Sequence, residues 1–364
     1  MNLPDRRSPL LFDRFPGLAG RIPWMRLVPC PTPVHRLEAV SARFGHEVWI
    51  KRDDLTSPEY GGNKPRKLEF LLARAAASDK RVLLTGGGIG SNHALATAYF
   101  GRQQGFQVIL DLCRQPVTEH ACLKLRLFQA LGARMHYVGG QSGFAVRHIL
   151  AGRLRHPDVF FIPPGGSDFT GTLGYVEAGL EIAGQIERKE MPVPETVFIA
   201  LGSGGSMAGL VLGLKIGGIG SRVVGVRVAT PLAANTWRVT VLARLTARGL
   251  RRIDSFPRLP AIVPSDAPVV GDQYGAGYGH ATPAGREAAG MMLELEGIRL
   301  DPTYTAKAFA ALLGHIRAGA AEGPVLFLNT YSAQDLAGLA ESMDSENLPA
   351  VFRRFVEVTR RHPD

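Results

Sequence analysis

The chain has 364 residues, too many for one ordinary core, so two domains are expected. Hydrophobic residues make up 45% and charged residues 20%, a balance that excludes a disordered or fibrous protein. Lysine and arginine outnumber acids by 42 to 32, but they are scattered and no nucleic-acid motif accompanies them, so the net charge of +10 reads as a solubilising surface, with no nucleic-acid partner expected.

The basic clusters RRSPLLFDR near the start and VFRRFVEVTRRHPD at the end read as charged faces or tails. Cys30, Cys113 and Cys122 are irregularly spaced, which points to neither a disulfide framework nor a paired metal knuckle, and no metal site is expected. A reducing cytoplasm fits. The opening residues lack the apolar run of a signal peptide, and nowhere do about 20 apolar residues run unbroken. A soluble, unexported protein with no membrane partner is expected.

In chain order, GGNKPRKLEF at residues 61–70 places Lys64 just before Pro65, which biases Lys64 toward an extended backbone. A lone lysine is usually surface charge, and Lys51 and Lys67 compete with it for any chemical role. RVLLTGGG (81–88) reads as a buried strand ending in a glycine turn, followed by a helix around ALATAYFGRQQ and a strand at FQVILDLC. Ser91 lies where a helix N-cap belongs; Ser91 and Asn92 could equally offer donors to a carboxylate or a ring oxygen at the positive end of that helix. EHACLKLRLFQALGA then predicts a helix and RMHYVGG a short strand.

TVFIALGSGG (196–205) predicts a strand and glycine turn, SMAGLVLGL a helix, VVGVRVA a strand, and PVLFLNT (324–330) a late strand. This is the alternation of a parallel sheet. The turn made by Gly202, Ser203, Gly204, Gly205 and Ser206 could hold a phosphate on exposed N–H groups, or could serve only to let helix and sheet pack closely. Its spacing matches neither the dinucleotide nor the nucleoside-triphosphate motif. Residues 258–285, rich in proline and glycine, predict a long loop with a functional role.

Taken together, KRDDLTSPEYGGNKPRKLEF, GGGIGSNHA, PPGGSDFTGTLGYVEAGLEI, LGSGGSMAGL, YGAGYG and LDPTYTAKA resemble, in this order, the pyridoxal 5′-phosphate (PLP) dependent family of D-cysteine desulfhydrases and 1-aminocyclopropane-1-carboxylate deaminases. The resemblance runs from about residue 28 to about residue 335. It implies the tryptophan synthase β-like fold, fold type II among PLP enzymes: α/β, with two open, twisted, mostly parallel sheets flanked by helices. It implies that Lys64 forms the Schiff base with PLP and moves the α-proton of a small amino-acid substrate. Lys67 would help neutralise the phosphate, Asn92 would bond the ring hydroxyl oxygen, and Ser91 would face the substrate. Gly202 to Ser206 would cradle the phosphate, and Tyr278 and Tyr304 would stand beside the substrate. A homodimer is the state the family implies.

The deaminase branch carries a glutamate against the pyridine nitrogen where this chain has Thr305, a hydroxyl that cannot hold that proton by charge. This suits β-elimination, with D-cysteine giving pyruvate, ammonia and sulfide. Thr305 is equally expected to cap the helix AKAFAALLGHI. Other departures are Gly90 where relatives have glutamine, Leu95 and Ala96 for Arg-Gln, Pro164 for glutamate, and Asn329, Thr330, Tyr331 and Ser332 for His-Thr-Gly-Gly. On these departures, β-replacement, a deaminase-type reaction and a non-catalytic PLP or amino-acid-binding relative stay open. The expected layout is a larger PLP-binding domain from residues 1–66 and 176–364 and a smaller inserted α/β domain from 67–175, with the site at the carboxyl ends of strands. Arg66 and Lys67, close to Lys64 in sequence, are expected to lower its pKa.

Overall fold

The computed structural model describes residues 8–141, 144, 146–148, 158–253, 261–332, 334–341, 343 and 345–361. The chain divides into two compact units, residues 1–70 with 167–333, and 71–166 with 334–364. The boundaries fall at 70/71 and 166/167 rather than at 66/67 and 175/176. Residues from Gln334 onward group with the smaller unit, where the sequence suggested the larger.

Among the described residues, the larger unit is built on six strands: β1 (Val34–Arg36), β2 (Val48–Lys51), β7 (Thr196–Leu201), β8 (Arg222–Arg227), β9 (Val269–Val270) and β10 (Val325–Leu328), in the order β1-β2-β10-β7-β8-β9. Of these, only β1 pairs antiparallel. The central strands are apolar on both faces because both are covered. Val197, Ile199, Leu201, Leu326 and Leu328 join one core cluster with the helices Phe169–Glu187, Gly205–Ile216 and Thr236–Ile253. Phe198, Val325 and Phe327 point the other way, to the helices Pro283–Glu296 and Thr305–Arg317. The expected loop at 258–285 is interrupted by β9, a two-residue edge strand too short to leave a periodic signal; residues 258–260 lie outside the described residues.

The helices Phe169–Glu187 and Gly205–Ile216 touch backbone to backbone. A Cβ on Gly209 would lie 2.4 Å from the Thr172 carbonyl oxygen, and one on Gly213 2.3 Å from that of Val176. The four-residue spacing of these glycines puts them on one helix face. Gly213→Val is expected to cost about 3 kcal/mol, since neither backbone can yield without separating the pair; urea unfolding measures it.

The smaller unit carries, among the described residues, four parallel strands, β3 (Val82–Gly88), β4 (Gln107–Cys113), β5 (Arg134–Tyr137) and β6 (Phe160–Phe161), in the order β5-β4-β3-β6. Its helices include Asn92–Gln103 and Glu119–Ala130, near the predicted limits. The carboxyl-terminal helix Ala350–Arg361 joins this unit because its apolar face is buried: Phe352 and Phe355 pack on the Tyr137 ring, at centroid distances of 6.1 and 5.6 Å. Arg353 and Arg354 stay exposed, so this part of the basic cluster is the outer face of a docked helix. Among the described residues no helix is long and apolar enough to cross a membrane.

Candidate active site

Lys64 is the first residue of the helix Lys64–Ala77, not an extended residue before it. Pro65 takes a first-turn position, where its missing N–H costs nothing. The preceding turn is forced tight by sterics. A Cβ on Gly61 would fall 1.9 Å from the Asp54 carbonyl oxygen, and Gly62, at φ +90°, would meet that of Thr330 at 2.9 Å. The Gly62 N–H donates to Asp53 O (2.8 Å), the Asn63 N–H to Thr330 O (3.1 Å), and the Gly61 N–H to Ser332 Oγ (3.0 Å). The turn that presents Lys64 is thus fixed on both sides.

Burial pushes the Lys64 amine down to about 8. The expected help from Lys67 and from Arg66 is not found. Its guanidinium turns into a buried ion cluster, reaching Asp53 Oδ1 and Oδ2 at 2.8 and 3.1 Å and both Glu181 oxygens at 3.0 Å. Burial first, and Lys64 second, hold the Lys67 ammonium well below the usual lysine range, with Asp168 opposing. At neutral pH roughly a tenth of Lys64 is neutral, against a far smaller share for an ordinary lysine. PLP uptake by apoprotein is therefore expected to accelerate as pH rises toward about 8 and to level off above it; stopped-flow absorbance measures this, and a rise continuing to pH 10 would contradict it.

Gly202 to Ser206 form the turn between β7 and the helix Gly205–Ile216, with Gly204 at φ +91° as its N-cap and no side chain capping the first N–H groups. Ser167 Oγ lies 2.7 Å from Ser203 Oγ, accepts the Gly205 N–H at 3.1 Å, and receives Lys67 Nζ at 3.4 Å. Asn63 Nδ2 donates to Ser206 Oγ at 3.0 Å. A Cβ on Gly205 would come within 2.6 Å of both Lys67 Nζ and Ser167 Oγ, so a side chain there would fill the cradle. Helix N-terminus, hydroxyls and a buried cation whose charge burial opposes form the donor set of a phosphate dianion, and the residues fit the phosphate of PLP. Ser167 and Asn63 were not singled out in the sequence, although the Gly-Gly-Ser of PPGGSD and the asparagine of GGNK were in view. Ser167→Ala is expected to weaken PLP binding three- to tenfold, measured by equilibrium titration.

Tyr304 stands over this turn, its Cε1 3.7 Å from where a Cβ on Gly202 would be. Its hydroxyl is 2.7 Å from that of Tyr278, and burial, then Tyr278, hold it protonated far above the usual tyrosine range. Thr305 is buried, but it does not cap: Tyr304 occupies the N-cap position, Asp301 Oδ1 accepts the N–H groups of Thr303 and Tyr304, and Thr305 Oγ1 accepts the Asp301 N–H at 2.8 Å. Asp301 Oδ1 thus closes the turn ahead of the helix, and no side chain caps the helix itself.

In the smaller unit, Ser91 is the N-cap of Asn92–Gln103, its Oγ accepting the Ala94 N–H at 3.2 Å. Asn92 Oδ1 accepts from Lys124 Nζ at 2.5 Å, and the same amine donates to Gly90 O at 2.9 Å. Lys124, buried inside a predicted helix, gave no motif signal. The volume left by Gly90 is taken by another amide: a Cβ there would meet Gln115 Nε2 at 2.4 Å.

The larger unit therefore gathers Lys64, Lys67, Gly202 to Ser206, Tyr278, Tyr304 and Thr305, and the smaller unit holds Ser91 and Asn92. A family model for pyridoxal-phosphate dependent enzymes matches residues 25–330. D-cysteine desulfhydrases of Salmonella newport and Salmonella paratyphi A are 34% identical over 328 residues, covering 87% of this chain and 96% of each relative. The crystal structure of an ACC deaminase homologue is 31% identical and superposes with a TM-score of 0.75, covering 90% of this chain and 95% of that one. A fungal L-serine ammonia-lyase from Rhizomucor miehei shares the fold at 17% identity, with a TM-score of 0.59 over 86% of this chain and 97% of its own.

Proposed function

Because the chain belongs to the family of pyridoxal-phosphate dependent enzymes, we propose that it is a lyase removing the β-substituent of a small amino acid, with D-cysteine as substrate and pyruvate, ammonia and sulfide as products. The observation that carries this reading is Lys64: an amine lowered to about 8, on a braced turn, in the unit that also holds the phosphate cradle. When bound, PLP takes up the electron pair left at the substrate's α-carbon. Lys64 would hold the cofactor and remove the substrate's α-proton, a task its lowered pKa suits near neutral pH. Lys67, Ser167, Ser203, Ser206 and the N–H groups at Gly204 and Gly205 would hold the phosphate. Protonated Tyr304, paired with Tyr278, keeps a proton for the departing sulfur. For Ser91 and Asn92, in the smaller unit, the family resemblance implies roles toward substrate and ring hydroxyl. Thr305 brings no negative charge, which favours elimination over reactions needing a stronger electron sink.

The test is to load purified protein with PLP, reduce it with borohydride, and map the adduct while assaying D- and L-cysteine for pyruvate and sulfide. A yellow protein with its adduct on Lys64 and activity on D-cysteine is expected; a colourless protein that takes up no PLP would refute the reading. Similarity to an ACC deaminase homologue favours one second reading, a 1-aminocyclopropane-1-carboxylate deaminase reaction, recognised by 2-oxobutanoate in the same assay. Family likeness also supports a cytoplasmic homodimer, tested by light scattering and fractionation.

A further inference from the structure

One buried cation of the smaller unit is left unused by this assignment. Lys124 stands in the second turn of the helix Glu119–Ala130 with 3% of its surface exposed. Leu125, Leu127 and Phe128 of the same helix are buried too, so an apolar side chain would serve packing at lower cost than an ammonium, which is expensive to bury unless oxygens meet it. Its amine meets two, the Gly90 carbonyl oxygen at 2.9 Å and Asn92 Oδ1 at 2.5 Å, one on either side of Ser91.

The chemistry of the pair decides which way Asn92 faces. A lysine ammonium has three donors and no acceptor, so the end of the carboxamide that it touches is the oxygen. The nitrogen, with its two N–H groups, is the end turned away. Asn92 is the first residue of the helix Asn92–Gln103 and keeps part of its surface accessible, as a side chain that meets a ligand must. Without Lys124 the amide could turn over and present its oxygen, which would repel an anionic oxygen. With Lys124 in place it presents N–H groups, and a cation on the carbonyl oxygen draws electron density through the amide and strengthens those donors. The Gly90 contact anchors the same amine to backbone, so its place does not depend on Asn92 alone.

We propose that Lys124 is a positioning residue: it locks the Asn92 carboxamide with its N–H groups toward the ring hydroxyl oxygen of PLP and strengthens the bond they donate to it. The inference rests on the PLP reading above, in which Asn92 meets that oxygen, and adds the group that orients it. A brace between the helix Glu119–Ala130 and the turn at Gly90 is the competing role, and a brace would serve every ligand of the site alike.

The probe that separates the two is the 3-deoxy analogue of PLP, which lacks only the ring hydroxyl. Apoprotein is titrated by fluorescence with PLP and with the analogue, for wild type and for Lys124→Met, which keeps the length and removes the charge and the donors; melting temperatures show whether the variant folds. The Kd for PLP is expected to rise about tenfold in Lys124→Met and that for the analogue by less than about twofold. Equal weakening of both ligands would overturn the proposal and leave Lys124 as a brace, and so would an unchanged Kd for PLP. Should the variant fail to fold, wild type decides: it is expected to bind PLP at least about tenfold more tightly than the analogue, and equal affinities would overturn the proposal. Wild-type protein that takes up neither PLP nor the analogue fails the PLP reading itself, a result separate from all of these.

Discussion

Lys64→Ala is expected to lower D-cysteine turnover by at least about 10³-fold while leaving PLP bound, now without a borohydride-stable adduct. The two effects separate because they rest on different residues. On the proposed reading Lys64 would provide attachment and the base, whereas the phosphate would be held by the turn from Gly202 to Ser206, by Ser167 and by Lys67; the hydrogen bonds that join them do not involve the Lys64 side chain, and loss of the Lys64 charge favours the Lys67 ammonium. Lys67→Met is the complementary variant: it weakens cofactor binding and leaves the base in place. Burial is what sets Lys64 near 8, so the pH at which PLP uptake levels off moves little in that variant. Steady-state sulfide release, equilibrium PLP titration and peptide mapping read the three quantities. A Lys64→Ala protein consuming D-cysteine at the parental rate would end the assignment.

The parts of this site that were legible in sequence are those where chemistry is local. A phosphate turn is made by consecutive small residues between a strand and a helix, so Gly202 to Ser206 announce themselves, and the alternation of apolar strands with helices gives the parallel sheets. What was not legible depends on side chains that meet from distant segments. Ser167 reaches the cradle across 36 residues of chain from Ser203, and Lys124 reaches Asn92 across 32. Arg66 looked like a second cation beside Lys64 because they lie two positions apart, yet on a helix neighbours two apart face different ways, and its partners Asp53 and Glu181 come from other elements. The carboxyl-terminal helix was hidden by its own exposed arginines, and its assignment to the smaller unit rests on Phe352 and Phe355, which no periodicity could direct to a particular partner.

The second large effect is expected at Glu181, far from the chemistry in role though not in chain topology. Glu181→Ala should destabilise the protein by about 3–5 kcal/mol in urea unfolding at neutral pH, because it leaves Lys51 and Arg66 buried without their shared counter-ion. Lys51 Nζ lies 2.5 Å from Glu181 Oε1, Arg66 makes two bonds to its carboxylate, Asp53 takes the other side of Arg66, and the Tyr175 hydroxyl donates to Asp53 Oδ2 at 2.8 Å. Burial opposes charge on Glu181, but Arg66 and then Lys51 overcome it, holding the carboxyl well below its usual 4.5. With the folded value depressed, its contribution is fully present above about 4.5 and is lost as pH falls through the folded value, so the unfolded chain takes up the proton first. Glu181→Gln keeps the shape, loses the charge, and should flatten the acid limb of the stability curve. The cluster also bears on function. Arg66 lies in the first turn of the helix that Lys64 begins, and Asp53 O accepts the Gly62 N–H of the turn before it. A Glu181 variant that folds should therefore show a weaker hold on the orientation of Lys64, read as a lower kcat with KM little changed, whereas a loss below about 1 kcal/mol with unaltered kcat would mean that the cluster braces neither the core nor the lysine turn.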